Sequence, residues 1–271
     1  MKVEGKVVVV TGAANGIGKA LAERFAAAGA AHVACADLDG EGAKATAEAV
    51  GGSGHRCDVG READIVALCD AVEAAHGRID IFASNAGVVL LDDGLKNAAS
   101  ASDEKWDASW RINVMAHVWA ARRCLPGMIA RGEGWFLQTV SAAGLLMQVG
   151  SSSYSATKHA ALSFAESLAV THKDDGIGVT ALCPQAVDTR MARAGNFAGA
   201  DVDGVVTPED VADQGVRAIE EGRFLVLPHP SVQGYAANKA ANHDRWVGGM
   251  AKMRRHVFGR LAESPAAGGD R

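Results

Sequence analysis

The feature that most constrains the fold is a glycine-rich turn between a short apolar run and a helical segment. Val7–Val10 is β-branched throughout, which is typical of a strand buried on both faces of a parallel sheet. Glycines follow at positions 12, 16 and 18, and the alanine-rich segment from 19 to 28 then has a helical pattern. A second strand is predicted over 32–36. Strand, glycine turn, helix and strand within about 30 residues predict a βαβ unit.

The alternation of strands and helices continues along the chain. Further strands are predicted over 55–59, 79–83, 135–140, 178–183 and 224–227, with glycines 51, 52 and 54 in a loop. Further helices are predicted over 41–50, 61–76, from 103 to a kink or end at Pro126-Gly127 with at most a short helical piece to Arg131, over 154–172, from 207, and over 231–258. This order predicts an α/β, Rossmann-like, doubly wound and mostly parallel seven-stranded sheet with helices on both faces. We expect one domain over 1–261, a substrate lid over 190–206 and a disordered tail over 262–271.

Composition narrows the class of protein. The chain has 271 residues, enough for a large core, and a net charge of −5 without a basic stripe, so we expect no nucleic-acid partner. It has no apolar run of about 18 residues, and its charged start is unlike a signal peptide, so we expect a cytoplasmic protein without membrane contact. The five cysteines lie far apart, and the nine histidines show no paired spacing. We therefore expect buried thiols and no metal site.

The glycine turn and the residue that ends the second strand predict a dinucleotide site. Glycines let the backbone come close to a pyrophosphate, which then lies at a helix N-terminus. Asp37 lies nineteen residues after Gly18, where a carboxylate accepts hydrogen bonds from the adenosine ribose. The same carboxylate repels a 2′-phosphate, and neither Leu38 nor Asn15 supplies a positive charge. NAD is therefore predicted rather than NADP.

A tyrosine and a lysine four residues apart form the second candidate site. Tyr154 and Lys158 fall on one face of a predicted helix, just after serines that favour its N-cap. Taken alone, the pair predicts no more than a serine-capped helix. Ser141 follows a predicted strand, at the edge where α/β sheets collect functional groups. Asn113 lies inside the predicted helix that starts near position 103, where a satisfied polar residue is the ordinary interpretation.

Together these motifs resemble, in content and order, those of the short-chain dehydrogenases/reductases. The resemblance extends from Lys6 to about Leu227 and rests on the glycine turn, Asp58-Val59, Asn85-Ala86-Gly87, Asn113, Ser141, Tyr154 with Lys158, and Pro184 to Thr189. Two positions depart from the family pattern. Ser84 stands where the family more usually has Asn, and Gln185 stands where it usually has Gly. Gln185 either narrows the pocket or contacts the substrate.

The resemblance implies a catalytic group and a cofactor site. Tyr154 would act as general base or acid, and Ser141 would hold the substrate oxygen. Lys158 would favour the tyrosinate and bind the nicotinamide ribose, while Asn113 would order a water that reaches Lys158. The residues predicted to bind NAD are Gly12, Asn15, Gly16, Ile17, Gly18, Asp37, Asp58, Val59, Asn85, Ala86, Gly87, Tyr154, Lys158, Pro184, Val187 and Thr189.

We expect hydride transfer between NAD and a largely apolar secondary alcohol or ketone. Residues predicted near the site are mostly apolar, with no cluster of Arg or Lys among them: Val88, Leu145, Leu146, Met147, Val149, Met191 and Phe197, with Gln148 as a polar exception. One alternative is an NADP-dependent reductase of 3-oxoacyl thioesters. Another is a non-catalytic NAD-binding scaffold, which we would expect to lack Tyr154, Lys158 or Ser141.

Assembly follows from the resemblance alone. Members of the family commonly form homotetramers through the helices around Asn113 and Tyr154, so a homo-oligomer is expected. The amphipathic segment 231–258 packs either on its own sheet or on a neighbouring subunit in this interpretation.

Overall fold

The computed structural model describes residues 1–93, 97–194 and 196–263, and a parallel sheet lies at its centre. Its strands are β1 Val7–Thr11, β2 His32–Asp37, β3 Ser53–Arg56, β4 Ile81–Ser84, β5 Gly134–Thr139, β6 Ile177–Leu182 and β7 Leu225–Val226. The strand order is β3-β2-β1-β4-β5-β6-β7, and every neighbouring pair is parallel. The order reverses between β1 and β4, which is the switch point where such sheets bind ligands. The predicted doubly wound sheet is confirmed.

Helices cover both faces of the sheet. They are α1 Gly16–Ala27, α2 Gly40–Val50, α3 Glu62–His76, α4 Asp103–Trp110, α5 Ala116–Arg131, α6 Ser152–Thr171, α7 Arg190–Ala194, α8 Pro208–Glu221, α9 Ser231–Ala241 and α10 His243–Glu263. Side chains alternate along β1, so Val8 and Val10 meet the α1, α2 and α8 core, whereas Val7 and Val9 meet the α3, α5 and α6 core. The β-branched run is therefore buried on both faces.

β3 begins earlier than the sequence pattern predicts. The predicted boundaries were wrong: β3 is Ser53–Arg56, so the loop ends at Gly52 and not at Gly54, and the strand ends before residue 57. Gly51 ends α2 in the left-handed conformation, with φ 67°, and the strand follows directly. A Cβ on Gly54 would lie 2.5 Å from Lys44 Cα. Glycine is therefore used here for the close approach of α2 to β3 and does not mark a loop.

α5 continues through Pro126, so a helix end at this residue was wrong, whereas the predicted limit of the helix at Arg131 agrees with the structure. The helix runs on to Arg131 and is closed by Gly132 in the left-handed conformation. Proline at 126 leaves the carbonyl of Arg122 without its helical donor. Both residues are exposed, so water can bind that carbonyl. The position of the proline on the solvent side explains why the helix tolerates it.

The C-terminal segment forms two helices where the sequence predicts one over 231–258. Asn242 separates α9 from α10 in an extended conformation, with φ −155° and ψ 94°. Its Oδ1 accepts a hydrogen bond from the Arg245 N–H at 2.9 Å, which caps α10. Within the described residues, no helix is long and apolar enough to cross a bilayer.

The predicted lid contains α7 and a 3₁₀ helix over Asn196–Asp203, while Gly195 lies outside the described residues. Its motion stays a prediction. The predicted disordered tail lies, from 264 onward, outside the described residues, whereas residues 262 and 263 belong to α10.

Candidate active site

Tyr154 and Lys158 lie one turn apart on α6, with the lysine Nζ 5.6 Å from the centre of the tyrosine ring. Lys158 is buried, and its ammonium donates to the Thr139 carbonyl at the end of β5 at 3.0 Å. Burial lowers the pKa of Lys158 to about 8. Burial also raises the pKa of Tyr154, while the hydrogen bond with Ser141 acts in the opposite direction. In this environment Tyr154 holds its proton and Lys158 is charged at neutral pH.

The cap of α6 comes from a distant residue, so the hypothesis that serines 151–153 cap the helix was wrong. The Ser151 side chain makes no cap bond and donates instead to the Leu90 carbonyl at 2.6 Å. The Ser152 N–H donates to the two carboxylate oxygens of Asp92 at 3.1 and 3.2 Å. The Ser152 hydroxyl donates to the same carboxylate at 2.7 Å. Asp92 thus supplies negative charge at the positive end of the helix that carries Tyr154.

Ser141 lies just after β5, at the carboxyl edge of the sheet. Its Oγ accepts the Ala143 N–H at 3.1 Å and lies 3.4 Å from the Pro184 carbonyl, to which it can donate. The Ala142 N–H also donates to the Pro184 carbonyl, at 2.8 Å. These bonds join the ends of two neighbouring strands and hold the Ser141 hydroxyl beside Tyr154.

Asn113 lies in a π-helical turn, Arg111–Met115, that interrupts the long helix between α4 and α5. Its amide is fully buried and forms a two-way pair with Val88, accepting the Val88 N–H and donating to the Val88 carbonyl, both at 2.9 Å. It also donates to Thr157 at 3.2 Å. A Cβ on Gly87 would lie 3.2 Å from the Asn113 Oδ1 and 3.5 Å from the Lys158 Nζ. The structure therefore brings Asn113, Gly87 and Lys158 together.

The glycine turn is closely packed against the start of α1. Gly12 and Gly16 have φ values of 71° and 55°, which favour glycine. A Cβ on Gly18 would lie 2.0 Å from the Gly12 carbonyl oxygen and 2.6 Å from the Asn85 amide nitrogen. Asn15 is the N-cap residue, but its side chain makes no cap bond. The first N–H groups of α1, which include those of Ile17 and Gly18, therefore receive no cap from the Asn15 side chain.

Asp37 and Asp58 end neighbouring segments at the same edge of the sheet. The Asp37 carboxylate accepts the Ala14 N–H and the Asp39 N–H, each at 3.0 Å, and so links the glycine turn to the end of β2. The Asp58 carboxylate accepts the Gly60 N–H at 2.9 Å. Val59 next to it is buried. A carboxylate oxygen accepts more than one hydrogen bond, so Asp37 retains capacity for hydroxyl donors.

Asn85 connects three strands at the centre of this edge. Its amide donates to the Thr11 carbonyl at 3.1 Å and accepts from the Thr139 hydroxyl at 3.0 Å. The N–H groups of Asn85 and Ala86 donate to the Thr11 hydroxyl at 3.0 and 3.2 Å. Ser84, where the family more usually has Asn, is buried at the end of β4.

The segment from Pro184 to Thr189 follows β6 and approaches the glycine turn. Val187 is buried and pairs with Val206 in a parallel bridge. A Cβ on Gly16 would lie 3.2 Å from the Thr189 methyl carbon, so the two predicted cofactor contacts are neighbours. The Gln185 N–H donates to His229 Nδ1 at 3.2 Å.

A cavity of about 590 Å³ opens beside Ser141. Its walls are largely apolar, and α9 and α10 form one side of it. The lining residues that the sequence predicts are Leu146, Met147, Gln148 and Val149, with Gln185 also in the wall, whereas Val88, Leu145 and Met191 do not line it among the described residues. The side chain of Phe197 lies outside the described part of the chain.

The sequence analysis missed several residues of the site. The C-terminal helices contribute Tyr235, Trp246, Met250 and Met253 to the cavity, and their amphipathic pattern indicated a contact face without showing what it faces. His117 is fully enclosed one turn after Asn113, and burial, with Lys158 nearby, lowers its pKa to about 3. Across the described residues, no group of three or more potential metal ligands lies together.

Comparisons with known proteins agree with this geometry. Residues 6–197 match the short chain dehydrogenase family. Epidermal retinol dehydrogenase 2 of Homo sapiens is 31% identical, over 83% of this chain and 75% of its own length. The 1-deoxy-11-beta-hydroxypentalenate dehydrogenase of Streptomyces exfoliatus is 35% identical, over 84% of each chain. The 3beta-hydroxysteroid dehydrogenase 2 of Eggerthella lenta is 30% identical, over 77% of this chain and 85% of its own.

A solved structure shows the same fold. The crystal structure of a short chain dehydrogenase/reductase from Burkholderia phymatum, in complex with NAD, superposes with a TM-score of 0.81 at 30% identity. It covers 90% of this chain and 96% of its own. A parallel sheet with this strand order, and a serine, a tyrosine and a lysine at its carboxyl edge, define a class of oxidoreductases. The chain belongs to the short-chain dehydrogenase/reductase family.

Proposed function

We propose that the protein is an NAD-dependent dehydrogenase that transfers a hydride between the cofactor and a largely apolar secondary alcohol or ketone. The observation that carries the proposal is the position of Ser141. Ser141 lines the 590 Å³ cavity, and a hydrogen bond with Ser141 opposes the effect of burial on the pKa of Tyr154, so a substrate oxygen bound at Ser141 would lie beside the tyrosine. Relatives named as dehydrogenases of retinol and of a 3β-hydroxysteroid support an apolar alcohol as substrate.

The residues at the glycine turn fit a dinucleotide. At the predicted pyrophosphate position, at the start of α1, Cβ atoms on Gly12 and Gly18 would collide with Asn85 or the Gly12 carbonyl, and a Cβ on Gly16 would lie 3.2 Å from the Thr189 methyl carbon. The predicted contacts at Asp37, Asp58, Asn85 and Val187 lie along the same carboxyl edge of the sheet. The nicotinamide ring, when bound, accepts or supplies the hydride.

The protein's own groups then handle the proton. Ser141 orients the substrate oxygen, and Tyr154 takes the hydroxyl proton during oxidation or returns it during reduction. Because burial alone raises the pKa of Tyr154, proton transfer depends on positive charge beside the phenol. Lys158 supplies that charge below its pKa of about 8 and is held in place by the Thr139 carbonyl.

A panel of secondary alcohols with NAD and with NADP tests cofactor, activity and substrate class together, since reduced nicotinamide is followed by absorbance. Tyr154→Phe should abolish turnover while the affinity for NAD, measured by calorimetry, falls far less, because the other predicted cofactor contacts stay in place. Near-full turnover by this variant would overturn the assignment of Tyr154. NAD binding without turnover of any alcohol or ketone would favour the scaffold alternative.

One observation supports the alternative function, that of an NADP-dependent reductase of 3-oxoacyl thioesters. Arg56 lies opposite Asp37 in the β2–β3 register and is exposed, so a cation is available near the ribose position. The Asp37 carboxylate argues for NAD because it would repel a 2′-phosphate. A ratio of kcat/KM for NADPH over NADH above one, with a 3-oxoacyl thioester as substrate, would establish the alternative.

We also propose a homotetramer formed through α4, α5 and α6, as the family resemblance implies. The exposed Trp110 on α4 and Val170 on α6 support it, because a second subunit would cover them. Light scattering of the purified chain would measure its mass, and a monomer at micromolar concentration would contradict this assembly.

A further inference from the structure

One face of α10 forms a wall of the substrate cavity and carries a charge. Ala241 and Asn242 at the end of α9 extend this wall, and the residues that α10 itself contributes recur every three or four positions: Arg245, Trp246, Gly249, Met250 and Met253. This spacing places them on one side of the helix. Among the described residues that line the cavity, Arg245 is the one charged side chain, and the others are apolar or neutral.

Lys239 fixes this wall against the loop that follows Ser141. Its ammonium donates to the Leu145 and Leu146 carbonyls at 2.8 and 2.9 Å and lies 3.2 Å from His159 Nε2. It also lies 4.9 Å from the centre of the Trp246 ring. One cation therefore joins α9, the first turn of α10, the loop after Ser141, and α6. The backbone that carries Arg245, next to Trp246, is therefore fixed near the loop after Ser141, while the Arg245 side chain itself is exposed.

Arg245 has no acidic partner among the described residues. Gly249, one turn further along α10, is uncharged, as is Ala241 at the end of α9. Asp203 lies in the same region, but its carboxylate accepts a hydrogen bond from the Tyr235 hydroxyl at 2.9 Å and forms no ion pair with Arg245. A Cβ on Gly249 would meet no atom within 4 Å, so there is open space one turn after Arg245.

We propose that the substrate carries a carboxylate, which binds Arg245 while the reacting carbon lies at Ser141 and Tyr154. This inference rests on the proposed function and names its substrate class: an apolar hydroxy acid or oxo acid. A guanidinium matches the two oxygens of a carboxylate with two parallel N–H donors. The walls between the two ends are apolar, with Leu146, Val149 and Met250 among them, so the body of the substrate is apolar as well. A single cation matches a single negative charge.

The test compares steroidal and bicyclic hydroxy acids with their methyl esters as substrates of the full chain with NAD. Esterification removes the charge and leaves the reacting alcohol unchanged. We expect kcat/KM for the acids to exceed that for the esters by about tenfold to a hundredfold, the usual range for a hydrogen-bonded charged pair. Arg245→Met should bring this ratio close to one, chiefly by raising KM for the acids, and Arg245→Lys should restore part of it.

Arg255→Met is the matched control. Arg255 is exposed on the same helix, does not line the cavity, and its replacement changes the net charge equally. This variant should keep the acid-to-ester ratio of the parent. An equal ratio in the parent and in Arg245→Met, or a preference of the parent for esters, would overturn the role of Arg245 while leaving the proposed function standing.

A binding measurement separates the two proposals fully. Calorimetry with the corresponding deoxy acid, which has no alcohol to oxidise, reports on Arg245 without any turnover. Binding of the deoxy acid that is weakened about tenfold or more in Arg245→Met supports the carboxylate site even if no alcohol is oxidised, and that result would count against the proposed function alone. Equal binding of the deoxy acid by the parent and the variant would refute the carboxylate site.

Discussion

The buried lysine of the site should destabilise the folded protein at neutral pH. The pKa of Lys158 is lowered to about 8 by burial, whereas an unfolded chain holds a lysine proton up to about pH 10.4. Between these values the unfolded state binds more protons than the folded state, so stability rises with pH. Lys158→Met removes this titration. We therefore expect the variant to be more stable than the parent near pH 7, with a difference that shrinks as the pH rises.

The size of the effect follows from the pKa shift. A shift of about 2.5 units corresponds to roughly 3 kcal/mol of unfavourable free energy when both states are protonated. Near pH 9.5 most of the lysine in the folded state is neutral, and the remaining penalty is about 1.5 kcal/mol. The stability of the parent should thus rise by about 2 kcal/mol relative to the variant between pH 7 and 9.5. Loss of the hydrogen bond from Lys158 to the Thr139 carbonyl also changes the stability of the variant, but by an amount that depends little on pH. It shifts the two profiles of stability against pH relative to each other more than it changes their slopes.

Urea unfolding of the cofactor-free proteins, followed by far-UV circular dichroism at several pH values from 7 to 9.5, measures the difference. Tyr154 and all cysteines are present in both proteins, so their titrations cancel to first order. Lys173→Met, which removes an exposed lysine, serves as the control. Its free energy of unfolding should change with pH in the same way as that of the parent. Parallel profiles for the parent and Lys158→Met would refute the claim that burial depresses this lysine's pKa.

Three other changes should separate the roles of backbone and side chains. Gly18→Ala places a Cβ 2.0 Å from the Gly12 carbonyl and should lower both NAD affinity and the melting temperature; unchanged calorimetric binding would contradict this packing. Asp92→Ala removes the cap of α6 and should cost about 1–2 kcal/mol in urea unfolding, unlike Asp93→Ala. Asp37→Ala should raise KM for NAD more than KM for NADP in steady-state assays, and equal changes would argue against Asp37 as the cofactor discriminator.

Local sequence patterns were sufficient to predict most of the fold. The β-branched run of β1, the turn at Gly12 to Gly18 and the alternating segments reflect short-range preferences and burial on two faces, which are visible in any window of the chain. The errors arose at residues whose environment depends on contacts between segments that are distant in sequence. Gly54 was interpreted as a loop residue because its contact with Lys44 lies between segments, and Pro126 was interpreted as a helix end because its exposure is a tertiary property.

In the candidate site, too, local features could be predicted and long-range contacts could not. Tyr154, Lys158, Ser141 and the glycine turn could be predicted because their spacing is local or resembles a known family. The cap from Asp92 spans sixty residues of sequence, and no local pattern indicates it. The wall of the cavity around Arg245 comes from helices beyond the part of the chain that matches the family. The apolar stripe on α10 therefore predicted a contact face, but not which part of the molecule that face contacts.

The π-helical turn at Arg111–Met115 changes how one long helix meets its neighbours. One added residue rotates everything after it by about 100° relative to a regular α-helix. The half before the turn therefore faces α6, where Ser109 and Ser153 have their hydroxyls 3.2 Å apart. The half after it faces α3, where the sulfurs of Cys124 and Cys69 are 3.7 Å apart. Deletion of one residue here would restore a regular α-helix throughout. The contact face of one half of the helix would then rotate away from the helix that it packs against.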